Sequence, residues 1–209
     1  MIAIQWTLEE VEMSVVPVNN TVIYLVGPPG VGKMTIGRIL ANTLDARLVH
    51  NHLWLNPVFS LIEPDGKTTL PREVWPLVAQ IRHAVFETAT TLVPASQNLV
   101  FTHAAVTENE LNETIAQDII RVARKREARL LVAQLTCSPE ILAARVLSHE
   151  RRLLLKEIDA HAARVNANFP PFDVKHPSKF HLNTANLEAQ DSAREILKWL
   201  LSAPDIAIP

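Results

Sequence analysis

A short glycine-rich stretch carries the clearest chemical signal in the chain. Residues 27–35 read Gly-Pro-Pro-Gly-Val-Gly-Lys-Met-Thr, which meets the pattern Gly-x4-Gly-Lys in full. Glycines let the backbone curl so that several N–H groups converge on an anion. A lysine beside them adds a mobile positive charge. The stretch therefore predicts a loop that binds nucleotide phosphates, with Lys33 at the β- and γ-phosphates.

The sequence on either side of this loop has the order that such a Walker A loop needs. A β-branched apolar run at residues 21–26 comes directly before it, and a helix-like segment at residues 36–44 follows. The first-turn N–H groups and the positive end of the helix dipole would then face the phosphates. A plain glycine turn with a solvated lysine is the alternative, but the stretch holds three of only five glycines. The predicted nucleotide-binding residues of the loop are Gly27, Pro28, Pro29, Gly30, Val31, Gly32, Lys33, Met34 and Thr35.

One position in the loop departs from the usual pattern. The residue after the lysine is normally Ser or Thr, whose hydroxyl binds Mg²⁺, but here it is Met34, and Thr35 follows one place later. This arrangement resembles the loop of adenylate kinases. The resemblance implies that Thr35 lies at the α-phosphate and that Mg²⁺ is held mostly through water, so Thr35 is assigned to the metal site. Met34 is expected to make an apolar contact behind the loop.

Length and composition suit one α/β domain. The chain has 209 residues, of which 48% are hydrophobic, enough for a sizeable core. Its net charge of −2 disfavours a nucleic-acid binder. No stretch reaches the roughly 18 consecutive apolar residues of a membrane span, and the lone Cys137 fits a reducing compartment. We therefore expect a cytoplasmic monomer or homodimer whose partner is a small molecule.

Strand-like and helix-like segments alternate along the chain. Strands are predicted at residues 21–26, 46–50, 98–102, 129–136 and 179–183, and helices at residues 36–44, 71–92, 107–126, 141–147 and 187–201. Residues 51–57 are expected to leave the sheet. The alternation predicts a three-layer α/β sandwich with a five-stranded parallel sheet. Ligands of such sheets bind at the carboxyl ends of the strands.

The same pattern divides the chain into three parts. Residues 21–203 are predicted to form the α/β domain, and residues 204–209 a C-terminal tail. Residues 1–20 do not fit the strand–helix rhythm and are expected to form an N-terminal extension. Within the domain, the polar and arginine-bearing segment at about 148–177 is expected to form a helical lid.

Three features recur together at matching places in one superfamily. They are the loop at residues 27–35, the arginine-bearing segment after the fourth strand, and the ending His-Leu-Asn-Thr-Ala-Asn-Leu-Glu at residues 181–188. Over residues 21–202 the chain resembles the P-loop small-molecule and nucleoside-monophosphate kinases, nearest to shikimate-kinase-like and chloramphenicol-phosphotransferase-like proteins. The resemblance implies the P-loop NTPase fold and a kinase that uses ATP and Mg²⁺. Its substrate would be a small hydroxylated or phosphorylated metabolite.

The resemblance also implies roles for residues outside the loop. Arg145 corresponds to an arginine that lies against the adenine or reaches the phosphates, and Arg151 or Arg152 to the lid arginine that closes over the transferring group. Thr184 and Asn186 would belong to the loop beside the adenine. A solvated helix face is the alternative for each arginine. Together with Lys33, however, they would neutralise the charge of the transferring phosphoryl group.

The acceptor end departs from the relatives. Where they have carboxylates after the second and third strands, this chain has His50, Asn51 and His52, and then Thr102 and His103. Asn51, His52 and His103 are predicted to contact the acceptor. His52 or His103 could take its proton, since a neutral imidazole has a suitable pKa.

The sequence leaves three alternatives open. Asn51 and His52 could only hydrogen-bond the acceptor, or His50, His52 and His103 could bind a metal ion. The missing carboxylates also permit an ATP-binding module with little or no catalysis, which would act as a nucleotide-dependent switch.

Overall fold

Five parallel strands form the centre of the computed structural model, which describes residues 18–203 apart from the side chain of residue 150. The strands are β1 (Thr21–Gly27), β2 (Ala46–His50), β3 (Asn98–Ala104), β4 (Arg129–Thr136) and β5 (Lys179–Asn183). Their order is β2-β3-β1-β4-β5, with every pairing parallel. The predicted sheet is confirmed. The predicted tail and most of the predicted extension lie outside the described residues.

Eight helices connect and cover the strands within the described residues. They are α1 (Lys33–Thr43), α2 (His52–Ile62), α3 (Val74–Thr91), α4 (Glu110–Lys125), α5 (Pro139–Val146), α6 (His149–Leu153), α7 (Ala160–Ala167) and α8 (Ala189–Ser202). Helices α2, α3 and α4 pack on one face of the sheet, and α1, α5, α7 and α8 on the other. This confirms the predicted three-layer α/β fold.

The central strand β1 shows why the sheet is covered on both faces. All seven of its residues are buried, as expected for a parallel strand between two helical layers. Tyr24 packs with Phe101 in the core beneath α3 and α4, whereas Leu25 packs in the core beneath α1 and α8. The side chains alternate because successive residues of a strand face opposite sides.

Helix α2 was not predicted from the sequence. Residues 51–57 leave the sheet as expected, but all except Asn51 belong to α2, which contains Pro57. A proline inside a helix costs about 3 kcal/mol, so its presence argued against a helix. The burial of Trp54 and Phe59 offsets this cost, and Trp54 contacts Phe86 edge to face with a centroid distance of 5.3 Å. The helix places His52 in its first turn, at the carboxyl edge of the sheet.

The strand register brings the predicted site residues to one edge. Val26 pairs with His103 and Gly27 with Ala104, so β1 and β3 end side by side. Strand β3 is longer than predicted and includes His103. Since the carboxyl ends of parallel strands meet at one edge, the glycine loop and the segments after β2 and β3 are neighbours.

The opposite edge is held by a buried arginine. The guanidinium of Arg126, which follows α4, donates to the carbonyl oxygens of Ala89, Val93, Pro94 and Gln97 at 2.7–2.8 Å. These carbonyls belong to the end of α3 and to the connection that leads into β3. The Arg126 side chain therefore fixes the connection between α3 and β3.

We expect the substitution Arg126→Ala to lower the free energy of unfolding by about 2–4 kcal/mol, because it leaves several carbonyl groups without their donor. Urea denaturation measures this change. Nucleotide binding should remain within threefold of wild type, since Arg126 lies at the edge away from the glycine loop. A loss of stability below about 1 kcal/mol would contradict the assigned role.

Candidate active site

The glycine loop joins β1 to α1 at the carboxyl edge of the sheet. Strand β1 ends at Gly27, and α1 begins at Lys33 with Gly32 as its N-cap residue in the left-handed region (φ 104°). Inside the loop, the N–H of Val31 donates to the carbonyl of Pro28 at 3.4 Å. The strand–loop–helix order predicted from the sequence is therefore present. The free N–H groups at the start of α1 face the same edge.

Helix α5 packs so closely on the loop that only glycine fits at position 30. Gly30 has a φ of 88°, and a Cβ atom there would lie 2.9 Å from Cγ1 of Val146 and 3.4 Å from the carbonyl oxygen of Leu142. The loop is thus held from behind by α5. Its curled shape depends on the contact as well as on the permissive backbone of glycine.

Lys33 is buried against the loop that it follows. Its Nζ donates to the carbonyl oxygens of Gly27 at 2.6 Å and Pro28 at 2.7 Å. Burial is the main reason why the pKa of Lys33 is lowered to about 7; nearby Arg151 and Lys156 lower it further, and Glu157 opposes them. The ammonium group is therefore fixed at the loop before a nucleotide arrives.

A cavity of about 840 Å³ opens above the loop, near the upper end of the range for small-molecule sites. Its wall includes these residues of the loop: Pro29, Gly30, Gly32, Lys33, Met34 and Thr35. Gly27, Pro28 and Val31 lie behind the wall, where the first two supply the carbonyls that hold Lys33. Met34 is half-buried in the wall and does not pack behind the loop as expected.

Arg145 lies in the wall on the side of β4 and β5. It donates from Nη1 to Oγ1 of Thr184 at 3.2 Å and from Nη2 to the carbonyl oxygen of Thr184 at 3.1 Å. The Thr184 hydroxyl also donates to the carbonyl oxygen of Val31 at 3.0 Å. Thr184 is buried and links Arg145 to the loop, while Asn186 is exposed and outside the wall. The wall is formed instead by Leu187 and the two residues after it.

Of the two predicted lid arginines, the structure brings one to the cavity. Arg151 lies in the wall and donates from Nε and Nη2 to the carbonyl oxygen of Glu157 at 3.1 and 2.8 Å. Arg152 is exposed and does not belong to the wall. The cations whose charge acts on Lys33 are those of Arg151 and Lys156.

His52 has one ring nitrogen available to a ligand. Its Nδ1 lies 2.8 Å from Oδ1 of Asn56, and this oxygen can only accept, so Nδ1 carries the proton and Nε2 is an acceptor. Burial is the main reason why the pKa of His52 is lowered to about 4. The ring is thus neutral near pH 7. Asn51 lies beside it in the wall, and its N–H donates to Oγ1 of Thr102 at 3.4 Å.

His103 is in the wall, but both ring nitrogens already have partners. Nδ1 lies 2.6 Å from the hydroxyl oxygen of Tyr24, and Nε2 lies 3.2 Å from Oδ1 of Asn112. Since the Asn112 oxygen accepts, Nε2 donates to it and Nδ1 accepts from Tyr24. Burial lowers the pKa of His103 to about 3. This favours His52 over His103 as the histidine that meets an acceptor hydroxyl.

The alternative of a three-histidine metal site finds no geometric support. Among residues 18–203, no three His, Cys, Asp or Glu side chains are grouped so that they could hold a metal ion. His50 is not part of the cavity wall.

Six charged residues of the wall were not predicted as site residues from the sequence: Lys67, Arg82, Lys156, Glu157, Asp159 and Glu188. Arg82 of α3 is buried, with its Nε 3.6 Å from Oδ2 of Asp118. Arg82 stands four residues from both Val78 and Phe86, so it lies on the apolar face of the predicted helix. A charged residue on such a face was the signal that could have indicated a site residue. Glu157, between α6 and α7, carried no comparable signal.

The comparisons with known proteins agree with this geometry. No family model matches the chain. The chain is 29% identical over 144 residues to shikimate kinase 2 of Escherichia coli O1:K1, covering 66% of this chain and 79% of that protein. The similarity confirms the resemblance to shikimate-kinase-like P-loop kinases that the motifs predicted.

Solved structures of kinases share the fold. A gluconokinase from Sinorhizobium meliloti matches with a TM-score of 0.57 and 16% identity, covering 88% of this chain and 94% of that one. A sugar kinase from a Janibacter species matches with a TM-score of 0.55 and 15% identity, covering 90% of this chain and 98% of that one.

The part of the chain that the structure describes has no helix long and apolar enough to cross a membrane.

We expect the substitution Gly30→Ala to deform the loop, because the added methyl group meets Val146 and the backbone has a positive φ. The free energy of unfolding should fall by about 1–3 kcal/mol, and the affinity for ATP by at least tenfold. Chemical denaturation and displacement of a fluorescent ATP analogue measure the two effects. Unchanged affinity would mean that the loop does not need this shape.

Proposed function

We propose that the protein is an ATP-dependent kinase that transfers the γ-phosphoryl group to a hydroxyl group of a small metabolite. The observation that carries the proposal is the position of Lys33, buried in a glycine loop at the base of a cavity that extends well beyond the loop. The similarity in sequence to shikimate kinase 2 supports the same reaction class.

The nucleotide is assigned to the side of the cavity that faces β4 and β5. Arg145 and the residues around Leu187 line this side and would contact the adenine. Lys33 would bind the β- and γ-phosphates, with the N–H groups at the start of α1. Thr35 is exposed in the wall, so its hydroxyl fits Mg²⁺ beside phosphate oxygens, since that ion keeps several of its waters. Bound there, Mg²⁺ would neutralise phosphate charge.

The acceptor is assigned to the side beneath α2, α3 and α4. This part of the wall is largely apolar and includes Trp54, Leu55, Phe59, Leu70, Trp75, Val78, Leu111 and Ile115. Two of its polar side chains, His103 and Asn112, already hydrogen-bond within the protein. We infer that the acceptor presents an apolar ring body whose few polar groups meet His52 and Arg82, which also line this part of the wall, because a polyol would leave further hydroxyls without partners against the apolar residues.

Catalysis by this site would rest on position and charge. Phosphoryl transfer requires little covalent chemistry from the protein and depends on aligned oxygens and neutralised charge. Lys33 and Arg151 would balance the negative charge of the transferring group. Nε2 of His52 would accept a hydrogen bond from another polar group of the acceptor and so help to orient it.

The substitution Lys33→Met tests the proposal, because it removes the charge and keeps most of the apolar stem. In wild-type protein, Mg²⁺ and ATP should raise the melting temperature, and a panel of ring-bearing and polyol alcohols should reveal an acceptor that accelerates ADP formation. In Lys33→Met the thermal shift should be lost and the turnover should fall by about 10²–10³-fold. The matched control Lys198→Met, on α8, should behave as wild type.

Two results would count against the kinase. An equal thermal shift by ATP in wild type and Lys33→Met would exclude the phosphate site. Binding of ATP without any acceptor that raises turnover above that of Lys33→Met would favour the nucleotide-binding module, which the missing strand-end carboxylates suggested.

ATP affinity should decrease as pH rises, because the pKa of Lys33 is about 7 in the free protein and bound phosphates raise it. Above pH 7.5 Lys33 is mostly neutral before binding and charged afterwards, so binding takes up nearly one proton. Phosphate groups are already ionised there, with a second pKa of about 6. Affinity should therefore fall by up to tenfold per pH unit between pH 7.5 and 9.

Isothermal titration calorimetry in two buffers with different ionisation enthalpies measures this proton uptake directly. The variant Lys33→Met serves as the control, since any residual binding should take up no proton. Affinity that stays constant from pH 7.5 to 9 would show that Lys33 is charged throughout.

A further inference from the structure

The cavity wall contains a carboxylate to which the proposed function assigns no role. Glu157 lies between α6 and α7 and lines the cavity together with Lys33 and His52. Its Oε1 is buried and has no hydrogen-bond partner among the described residues. An unpaired buried carboxylate oxygen is costly, so its presence at a ligand cavity indicates a partner that arrives with the ligand.

The backbone around Glu157 is held firmly in place. Arg151 donates twice to the carbonyl oxygen of Glu157, and the N–H of Lys156 donates to the carbonyl of Arg151 at 3.0 Å. The N–H of Ile158 donates to the carbonyl of Gly66 at 3.1 Å. The bonds with Arg151 hold the segment to α6, and the bond from Ile158 holds it to the connection between α2 and α3.

Gly66 permits this approach. It has a φ of 74°, and a Cβ atom there would lie 2.7 Å from the carbonyl oxygen of Lys156. Only a glycine lets the two segments come so close. The segment that carries Glu157 therefore forms part of the wall and is not a loosely attached surface loop.

The neighbouring carboxylate has a different role. Asp159 also lines the cavity, but it caps α7 by accepting from the N–H groups of His161 and Ala162 at 2.8 and 3.1 Å. Asp159 is thus committed to the helix cap through Oδ1, and the hydrogen bond from Ala162 is the main reason why its pKa is lowered, whereas Oε1 of Glu157 has no partner among the described residues.

We propose that Glu157 is the general base of the kinase, a role that rests on the function proposed above. As the acceptor oxygen forms its bond to the γ-phosphorus, its proton passes to the Glu157 carboxylate. The bond from the γ-phosphorus to the bridging oxygen breaks, and ADP leaves with that electron pair. Glu157 later releases the proton to solvent. The lid thereby supplies the carboxylate that this chain lacks at the ends of β2 and β3.

Charge and solvation around Glu157 suit this role. Burial is the main reason why the pKa of Glu157 is raised; Arg151 lowers it, Asp159 raises it, and Lys33 lowers it. The cavity wall around this segment also includes the titratable groups of Lys67, Lys156 and His52. A base is most effective when its pKa approaches the working pH, which favours Glu157 over His52, whose pKa is about 4.

The substitution Glu157→Gln tests the proposal, because it keeps the shape and removes the base. The assay follows ADP formation from ATP between pH 5 and 9, with the acceptor found in the panel or with water. We expect kcat to fall by about 10²–10³-fold, while the KM for ATP changes less than threefold. At saturating Mg²⁺ and ATP, so that protonation of the phosphates near their pKa of about 6 does not limit the rate, the wild-type kcat should fall on acidification as Glu157 becomes protonated, and this acid limb should be absent in Glu157→Gln.

Two further variants control for structure. Glu195→Gln makes the same change on α8, outside the cavity wall, so it should retain the wild-type rate and acid limb. Glu157→Asp should have an intermediate rate and keep the acid limb. It also provides the test if Glu157→Gln does not fold.

The outcomes separate this inference from the proposed function. A Glu157→Gln variant that binds ATP and keeps the wild-type rate or the acid limb would overturn the role of Glu157 alone. Loss of ATP binding in Glu157→Gln would also overturn the role as general base, because it would show that Glu157 is needed to form the nucleotide site. A wild-type protein that fails to bind ATP, or whose turnover never exceeds that of Lys33→Met, would refute the kinase itself.

Discussion

The burial of one ammonium group constrains the whole catalytic edge. Lys33 is removed from water and held by the carbonyls of Gly27 and Pro28, in a place where Arg151 and Lys156 add further positive charge. Like charges in a poorly solvated cavity repel, so the arrangement is stabilised when a polyanion enters. The curled loop and its close contact with α5 fix the place of Lys33 beside these cations.

Local patterns predicted much of the fold. Strands β2, β4 and β5 begin and end where they were predicted. Strand β4 is an apolar run buried along its length, whereas β2 and β5 are less buried strands at the edges of the sheet. Helix α2 could not be predicted in the same way, because Pro57 argues against a helix and only contacts with distant aromatic residues outweigh it. The glycine loop was predictable because its chemistry depends on residues that are consecutive.

The spacing of residues along the sequence could not predict the rest of the site. Arg82 was detectable as a charge on a buried helix stripe, but Glu157 is recognised only by what surrounds it in space. The histidines show the same limit. His52 and His103 look equivalent in sequence, yet one has a free acceptor nitrogen and the other is fully engaged by Tyr24 and Asn112. Tertiary partners, and not residue type, decide which can meet a ligand.

The hydroxyl of Thr184 has a consequence for how the protein acquires its site during folding. It bonds to the carbonyl of Val31, 153 positions earlier in the chain, and so fastens the loop from a residue that is synthesised near the end. Closing so long a segment is entropically expensive and tends to occur late. An emerging chain that already has its first strand and helix would therefore still lack a finished phosphate cradle until β5 docks beside β4.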